Sequence, residues 1–365
     1  MRLCFMIHAL TAGGAERVLS ELANHYARKG THDVHLITFQ PEGAPSFYPL
    51  EPSITLHQPG LNQTGPGGLS KVKRILKRLY AMRKILKTLR PHKIISFVDE
   101  MNIATLLAGL GLKIPVVISE RIDPRYHNIN FISKILRRFL YPFSHKLVVQ
   151  GEYISSFFPY LKKRISVIPN SVLMQPSKKQ LTGKLRKIIT VGRLAFQKDH
   201  ETLLKAYAKT REQFPDCSLD FYGEGPEKDI LEALVKDLKI RDSVIFQGTA
   251  KDIQKKLLKA DLFVFSSRFE GFPNALAEAM AVGLPVIASN CDGNLELVEH
   301  EKNALVFPVG DVDKLAEHLS LLMSHSKKRV QLGNAARNSI KRFAPEKIYE
   351  MWDEIIEDQK GEEQT

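Results

Sequence analysis

Short apolar segments of strand length alternate with helical segments along almost the whole chain. Residues 2–10 form a mainly apolar segment, residues 17–29 carry apolar side chains at three- and four-residue spacing, and residues 33–39 (DVHLITF) are predicted to form a second strand. This order is typical of β-α-β units, in which a helix connects two parallel strands. Because such helices cover both faces of a sheet, the alternation predicts an α/β fold built on parallel sheets.

The alternation is interrupted once and then resumes. Residues 170–184 are polar, and a second series of strands and helices starts with the apolar segment 187–191. The length of 365 residues also suits two domains of roughly 100–200 residues each. We therefore predict two Rossmann-like domains, 1–172 and 185–342, that face a central cleft, and a helix within 343–360 that packs back towards the N-terminal domain.

Composition narrows the class of protein. With 44% hydrophobic and 25% charged residues, the chain has the profile of a globular protein and not of a disordered one. It has no uninterrupted apolar segment of about 18 residues, so we predict no transmembrane helix. The N-terminus lacks a small-residue cleavage pattern, and the three cysteines are scattered, which together favour a cytoplasmic protein without disulfides.

The strongest local motif lies in residues 266–289. A predicted strand leads into a loop with Glu270, and a helix with Asn274 as its predicted N-cap carries Glu278 eight positions later. Backbone N–H groups of the loop and the positive end of this helix would suit a hydroxylated ligand with negative charge. The alternative is that Glu278 is an exposed acid, favoured only by the helix dipole.

Two cations follow the first strand of the second half. Arg193 comes directly after Gly192, and Lys198 lies on the loop before the next helix. An arginine fork and a lysine point charge at strand-to-helix loops suit a diphosphate, although two ordinary surface cations are the alternative.

A glycine turn opens the first helix. Gly13 and Gly14 allow close backbone approach to a phosphate or a sugar. The segment lacks the GxGxxG fingerprint, which argues against a dinucleotide-dependent enzyme.

Together these segments resemble the retaining glycosyltransferases of family four, which have the GT-B fold. EGFPNALAE matches the E-x7-E motif of that family, GRL with the later lysine matches its diphosphate-binding pair, and YGEGPEK and IPNSV match two further turns. The resemblance implies a nucleotide-sugar donor site formed by Gly13, Gly14, Arg193, Lys198, Gly248, Thr249, Glu270, Gly271, Phe272, Pro273, Asn274 and Glu278.

The resemblance also implies roles for these residues. Arg193 and Lys198 would hold the diphosphate of a UDP-sugar and stabilise it as leaving group, and with Glu270 they are the predicted catalytic residues. Glu278 would bind the ribose, and Glu270 with the backbone after it would hold the sugar. No DxD motif stands at a suitable place, so we expect neither a metal nor any cofactor besides the donor, and front-face retention assisted by the leaving phosphate.

The acceptor side departs from the family pattern. Many relatives have a histidine after a strand of the first domain, where this chain has Arg121, which cannot act as a base. His127, six residues further on, is a candidate substitute, and an ordinary surface histidine is the alternative.

Residues 71–90 form a predicted basic amphipathic helix. They contain nine Lys and Arg and no acid, within a chain of net charge +13. Such a helix is typical of a membrane surface, where Lys73, Arg74, Lys77 and Arg78 would face anionic lipid, but it can equally cover a domain core. Nucleic acid is not an expected partner, because no RNA- or DNA-binding motif accompanies the cations and aromatic residues are sparse among them.

Within the family, the chain is similar to bacterial GalNAc transferases that extend lipid-linked oligosaccharides in N-glycosylation. The predicted function is therefore transfer of a HexNAc or hexose, GalNAc included, from a UDP-sugar to a polyprenyl-diphosphate-linked glycan. The predicted location is the inner face of the plasma membrane, as a peripheral protein. A soluble or lipopolysaccharide-core acceptor is the alternative, as is a non-enzymatic membrane- or nucleic-acid-binding protein on the same fold.

Overall fold

The computed structural model describes residues 1–60, 69–127, 129–174, 183–250 and 252–358. The chain divides into two compact units. Unit 1 comprises Met1–Asn170 together with the C-terminal segment from Ile348 onward, and unit 2 comprises Ser171–Lys347.

Unit 1 is built on a seven-stranded parallel sheet. Its strands are β1 (Arg2–Met6), β2 (Asp33–Ile37), β3 (Thr55–His57), β4 (Lys93–Phe97), β5 (Val116–Ser119), β6 (Lys146–Val149) and β7 (Ile165–Val167), in the order β3-β2-β1-β4-β5-β6-β7. Its helices are α1 (Gly14–Lys29), α2 (Leu69–Leu89), α3 (Asp99–Gly109), α4 (Phe131–Leu140), the single turn α5 (Glu152–Ser155) and most of α13 (Pro345–Ile356). The central strands are buried because helices cover the sheet, as the sequence predicts.

Unit 2 repeats this plan with six parallel strands. They are β8 (Lys187–Val191), β9 (Ser218–Tyr222), β10 (Val244–Phe246), β11 (Leu262–Phe265), β12 (Val286–Ser289) and β13 (Leu305–Phe307), in the order β10-β9-β8-β11-β12-β13. Its helices are α6 (His200–Thr210), α7 (Lys228–Asp237), α8 (Ile253–Lys259), α9 (Asn274–Ala281), α10 (Asp292–Leu295), α11 (Val312–Ser324) and α12 (Ser326–Ser339). The prediction of two Rossmann-like parallel sheets is confirmed.

The order of the strands in unit 2 determines which of its loops lie next to each other. In unit 2 the chain runs outward from β8 in one direction to β9 and β10, and in the other to β11, β12 and β13. Ligands of such sheets bind beyond the carboxyl ends of the strands where the order reverses. The loops after β8 and β11, which carry the two strongest sequence motifs, therefore meet at the switch point of this sheet.

The C-terminal helix α13 belongs largely to unit 1. Trp352 is fully buried, with its ring stacked on Phe97 at 6.0 Å between centroids. The buried Lys93 ammonium donates hydrogen bonds to the carbonyl oxygens of Ile355 and Ile356, at 2.8 and 2.9 Å. A cation on the last carbonyls offsets the negative end of a helix, so Lys93 fixes the C-terminus of α13 on this unit.

Helix α2 is divided between two environments. Met82 and Leu86, in its second half, are buried in the core of unit 1. In its first half, Leu76 and Tyr80 are 60% and 72% exposed. The core-cover interpretation therefore holds for the second half of α2, and the first half leaves apolar side chains uncovered among its cations.

Candidate functional site

The structure brings the two strongest motifs of unit 2 into contact. Lys198 Nζ lies 2.5 Å from Glu270 Oε1, and the two side chains are only 16% and 7% exposed. Lys198 Nζ also lies 4.8 Å from the centroid of the Phe265 ring. A shielded ion pair of this kind is strong, because little solvent screens it. Residues 72 positions apart thus form one charged centre at the switch point.

The loop that carries Lys198 is fixed to the loop that carries Glu270. Arg268 pairs with Asp199 at 2.7 Å, and Gln197 Nε2 donates a hydrogen bond to the Phe269 carbonyl at 3.0 Å. Asp199 adopts φ 48°, a left-handed conformation that costs energy in a non-glycine residue and persists only where its surroundings enforce it. Sequence analysis missed Asp199 and Arg268, although each stands within two positions of a predicted site residue.

Arg193 extends from the carboxyl end of β8. Its side chain is exposed and makes no hydrogen bond or ion pair with any residue that the structure describes. Its backbone carbonyl is held by His200 Nε2 at 3.2 Å. Burial lowers the pKa of His200 to about 4, so its imidazole is neutral at pH 7 and donates this hydrogen bond. The guanidinium is therefore available to an anionic ligand.

A glycine-rich turn supports the backbone at Arg193. A Cβ atom at Gly223 would lie 2.0 Å from the Gly192 oxygen, and one at Gly225 would lie 2.2 Å from the Leu194 oxygen. Leu194 N in turn donates to the Glu224 carbonyl at 3.1 Å. Only glycines permit this backbone-to-backbone approach, which explains the YGEGPEK sequence.

Gly248, which the resemblance places near the base of the donor, is joined to the same turn. Its carbonyl accepts a hydrogen bond from Gly223 N at 2.9 Å, and its φ of 67° requires the left-handed region. The adjacent Thr249 is exposed.

Glu278 lies on α9 and is only 8% exposed. The alternative of a solvated acid at the helix surface is therefore wrong. Gly293 belongs to α10, a helix that sequence analysis missed, and it packs against the backbone of Glu270: a Cβ atom at Gly293 would lie 2.5 Å from the Glu270 carbonyl oxygen. The two carboxylates of the E-x7-E motif are thus both shielded from water.

The predicted N-cap of α9 is corrected by the structure. Asn274 is the first helical residue, and Pro273 occupies the N-cap position, where no side chain accepts a hydrogen bond. The backbone N–H groups of the first turn, next to Gly271 and Phe272, are thus left without a side-chain cap.

Gly13 and Gly14 open helix α1 of unit 1. Gly13 is its N-cap residue, and a Cβ atom there would lie 2.1 Å from Glu16 Oε2. The absence of a side chain at Gly13 lets the Glu16 carboxylate fold over the positive end of the helix, where a negative group is stabilised.

Arg121 is buried rather than displayed at a surface. Its guanidinium carbon lies 4.1 Å from the centroid of Phe97 and 5.7 Å from that of Trp352, and one nitrogen donates to Asn170 Oδ1 at 2.8 Å. The guanidinium thus packs against two aromatic rings within unit 1, while its Nε and Nη2 atoms are buried without a hydrogen-bond partner among the described residues.

His127 is paired with a carboxylate that sequence analysis missed. Its Nδ1 lies 3.2 Å from Oδ2 of the fully buried Asp99, and the hydrogen bond to Asp99 raises the pKa of His127. Asp99 follows Val98, a β-branched residue at φ 73°, where strain is costly and often marks a functional site. The ring is about one third exposed, so it is neither an isolated surface histidine nor a core one.

A second buried carboxyl lies near Asp99. Tyr141 donates its hydroxyl hydrogen to Glu120 Oε1 at 2.5 Å. Burial, followed by the charge of Asp99, raises the pKa of Glu120 to about 7. Glu120 therefore holds a proton in the folded chain at pH values where it is ionised in the unfolded chain.

This proton predicts a pH dependence of stability. Between about pH 5 and pH 8 the wild type should lose up to about 3 kcal/mol in the free energy of unfolding relative to Glu120→Gln. The protonated Glu120 side chain stabilises the folded state at low pH, because its pKa is higher in the folded chain than in the unfolded chain. This stabilisation is lost as the pH rises through the folded-state pKa. Chemical unfolding of both proteins across this range measures the difference, and parallel pH profiles would contradict the assignment.

Among the described residues, no group of three or more His, Cys, Asp or Glu side chains is placed to hold a metal ion. Asp311 caps helix α11 by accepting a hydrogen bond from Lys314 N at 2.9 Å. The described part of the chain contains no helix both long enough and apolar enough to cross a bilayer.

Sequence comparison agrees with the geometry of both units. Residues 12–173 match the family described as Glycosyltransferase Family 4, and residues 174–339 match Glycosyl transferases group 1. A Campylobacter jejuni α-1,4-N-acetyl-D-galactosaminyltransferase, named for a GalNAc-containing diphospho-undecaprenol substrate, is 30% identical over 99% of each chain. The chain belongs to the family 4 glycosyltransferases.

A second relative supports the family, and a solved structure supports the fold. A second Campylobacter jejuni protein, named as a 4-α-N-acetylgalactosaminyltransferase of a diphospho-undecaprenol-linked sugar, is 27% identical over 95% of this chain and 97% of its own. The structure of HepE from Anabaena, in complex with UDP and glucose, superposes with a TM-score of 0.76 at 18% identity, covering 97% of this chain and 98% of its own. The GT-B fold and the family resemblance inferred from the sequence are thus confirmed.

Proposed function

We propose that this glycosyltransferase moves a HexNAc or hexose, GalNAc included, from a UDP-sugar to a polyprenyl-diphosphate-linked glycan with retention of configuration. The observation that carries the donor half is the shielded Lys198–Glu270 pair beside the exposed Arg193. Two cations at one strand-end switch point can neutralise a diphosphate, and the adjacent carboxylates can accept hydrogen bonds from sugar hydroxyls.

Lys198 and Glu270 exchange partners when the donor binds. Without a ligand each satisfies the other at 2.5 Å. A diphosphate would draw the Lys198 ammonium to its oxygens, and Glu270 would then accept hydrogen bonds from the donor sugar, while Glu278 takes the ribose hydroxyls. Because both charges are already desolvated and positioned, little reorganisation is needed as negative charge develops on the leaving group.

Retention follows from a front-face displacement. The bond between the anomeric carbon and the β-phosphate oxygen breaks, and the acceptor oxygen bonds to the same face of that carbon. The acceptor proton passes to the departing phosphate oxygen, so no enzymatic base is required. Because the displacement occurs in one step on one face, no enzymatic nucleophile is required either. In the donor complex the Glu270 carboxylate accepts hydrogen bonds from the sugar hydroxyls, and it forms no bond to the anomeric carbon.

The acceptor half rests on the names of two relatives and on α2. Both Campylobacter proteins are named for substrates on diphospho-undecaprenol. Residues 71–90 hold nine cations and no acid. This positive charge is complementary to the negative charge of a diphosphate-linked lipid and of an anionic membrane. These features favour action as a peripheral protein at the cytoplasmic face of a membrane over a soluble acceptor. The names of the two relatives favour a polyprenyl-diphosphate-linked acceptor over a lipopolysaccharide core, and the donor residues of unit 2 favour an enzyme over a purely binding protein.

A donor panel tests the proposal directly. UDP-GalNAc, UDP-GlcNAc, UDP-galactose and UDP-glucose are compared by thermal shift, since a bound donor stabilises the folded state by mass action. The donor that shifts the melting temperature is then incubated with a polyprenyl-diphosphate-linked glycan, and NMR of the product gives the anomeric configuration. Transfer only to a soluble or lipopolysaccharide acceptor, or an inverted product, would overturn the corresponding part of the proposal.

We further expect transfer to continue at an undiminished rate in excess EDTA. Arg193 and Lys198 supply the positive charge that a metal would otherwise provide to the diphosphate. The measurement compares the initial rate of an EDTA-treated sample with that of an untreated one. Loss of activity that magnesium or manganese restores would show that the reaction depends on a metal.

A further inference from the structure

Helix α4 of unit 1 turns its aromatic side chains towards solvent. Phe131 and Phe139 are 76% and 69% exposed, and Phe143, in the turn that follows, is 68% exposed. Ile132 and Ile135 are exposed as well. Phe131, Ile135 and Phe139 recur every four residues and share one face of the helix. Contiguous exposed apolar surface of this kind marks an interaction site.

The cations of α4 lie beside or beneath this apolar face. Arg137 is buried, with its guanidinium carbon 5.1 Å from the ring centroid of Phe157, and that of Arg138 lies 3.9 Å from the centroid of Tyr160. The Arg137 and Arg138 guanidinium groups are thus held by aromatic rings of the protein, and the phenylalanines of α4 face solvent. A rotation of α4 that buried these phenylalanines would break the contacts between the arginines and the aromatic rings.

The charged residues near the exposed apolar face of α4 indicate what this face binds. Residues 124–151 contain no Asp or Glu, and their cations include Arg125, Lys134 and Lys146. Lys134 and Arg138 of α4 are exposed among these apolar side chains, and Glu100 of α3 lines the adjoining cavity. Exposed apolar side chains interspersed with cations on one helix are complementary to the interface of an anionic bilayer.

A cavity connects α4 with the exposed half of α2. Its volume is about 490 Å³, and its lining includes Ile75 of α2, Met101 and Leu107 of α3, and Ile132 of α4. Ile75 and Ile132 are also among the exposed apolar side chains. The uncovered parts of the two helices therefore border one apolar opening.

We propose that α4 and the turn through Phe143 insert into the interfacial layer of an anionic bilayer. This inference deepens the proposed function and rests on its membrane-linked acceptor, but different residues carry it. The cations of α2 act through the surface potential, which decays within about 8 Å at physiological salt. The phenylalanines of α4 act by burial of apolar surface, which salt does not screen.

The test uses Phe131→Gln/Phe139→Gln/Phe143→Gln in the full chain. Binding to phosphatidylcholine–phosphatidylglycerol vesicles is measured by co-sedimentation at low and at high salt. The triple variant should lose at least tenfold in vesicle affinity at both salt concentrations, equivalent to about 1.4 kcal/mol. Phe47→Gln and Ile230→Gln replace equally exposed apolar residues elsewhere and should bind as the wild type does.

A second measurement reports insertion itself. Trp352, the only tryptophan of the chain, is fully buried, so a tryptophan added at the surface gives a separable signal. Brominated lipids should quench the new fluorescence of Phe139→Trp, whereas that of Phe47→Trp should be unaffected. Vesicle binding without this quenching would overturn the proposal.

Self-association is the competing outcome. If sedimentation velocity shows a wild-type dimer and a monomeric triple variant, with vesicle binding unchanged, the α4 face joins two copies of the chain and the proposal is wrong. UDP-sugar hydrolysis serves as the independent readout of the proposed function. Lost insertion with intact hydrolysis supports the role of α4, whereas absent hydrolysis in the wild type contradicts the proposed function and leaves the insertion result standing.

Discussion

Arg193→Ala and Lys198→Ala are each expected to lower sugar-transfer turnover at least tenfold, and up to roughly a thousandfold. Each substitution leaves part of the leaving-group charge unneutralised. Arg193 is the cleaner probe, because its exposed side chain makes no hydrogen bond or ion pair within the described part of the chain. Its replacement should therefore change turnover without changing the melting temperature.

Lys198→Ala should behave differently in one respect. It leaves the buried Glu270 carboxylate without its 2.5 Å partner, so a fall in melting temperature should accompany the loss of turnover. Lys205→Ala, which removes a half-buried lysine of α6 that pairs with Glu201 in the same unit, is the control and should retain wild-type turnover. Wild-type turnover in both Arg193→Ala and Lys198→Ala would rule out the diphosphate assignment.

Reversal of four exposed cations on α2 should release the protein from anionic vesicles. The variant carries glutamate at Lys73, Lys77, Lys84 and Lys87, all of which are exposed. Each cation near an anionic leaflet contributes about 1 kcal/mol, so four reversals should weaken binding at low salt by at least a hundredfold. Transfer to the lipid-linked acceptor should fall more than UDP-sugar hydrolysis, because hydrolysis needs the donor-site residues but no lipid-linked acceptor.

Arg74 and Arg78 are left unchanged in this variant because both are partly covered, and the Arg78 guanidinium lies 5.3 Å from the Phe39 ring centroid. The control makes the same change of net charge on exposed lysines of unit 2, at Lys236, Lys259, Lys327 and Lys341. Co-sedimentation and both reaction rates are measured for each variant. If the α2 variant folds and binds vesicles like the wild type, with both rates unchanged, the helix serves only as core cover.

The amino-acid sequence by itself determined the architecture. The strands β1, β4 and β8 coincide with short apolar segments, and helices α1 and α2 coincide with apolar side chains at helical spacing, because local pattern decides which parts of an element can be buried. The ends of the helices also depend on local sequence: Gly30 ends α1 in a left-handed conformation, and Asp311 caps the N-terminus of α11. The positions of the two motifs at the carboxyl ends of β8 and β11 could also be predicted, because the end of a strand is visible in the local sequence.

The tertiary structure decided which side chains meet. Nothing local to Lys198 shows that it pairs with Glu270, and nothing local to His127 shows that Asp99 lies against it, because these contacts depend on strand order. Burial is likewise a property of the assembled unit. The amphipathic pattern of α2 is continuous, yet only its second half is covered, and α4 places phenylalanines outside and Arg137 inside because neighbouring aromatic rings hold its cations.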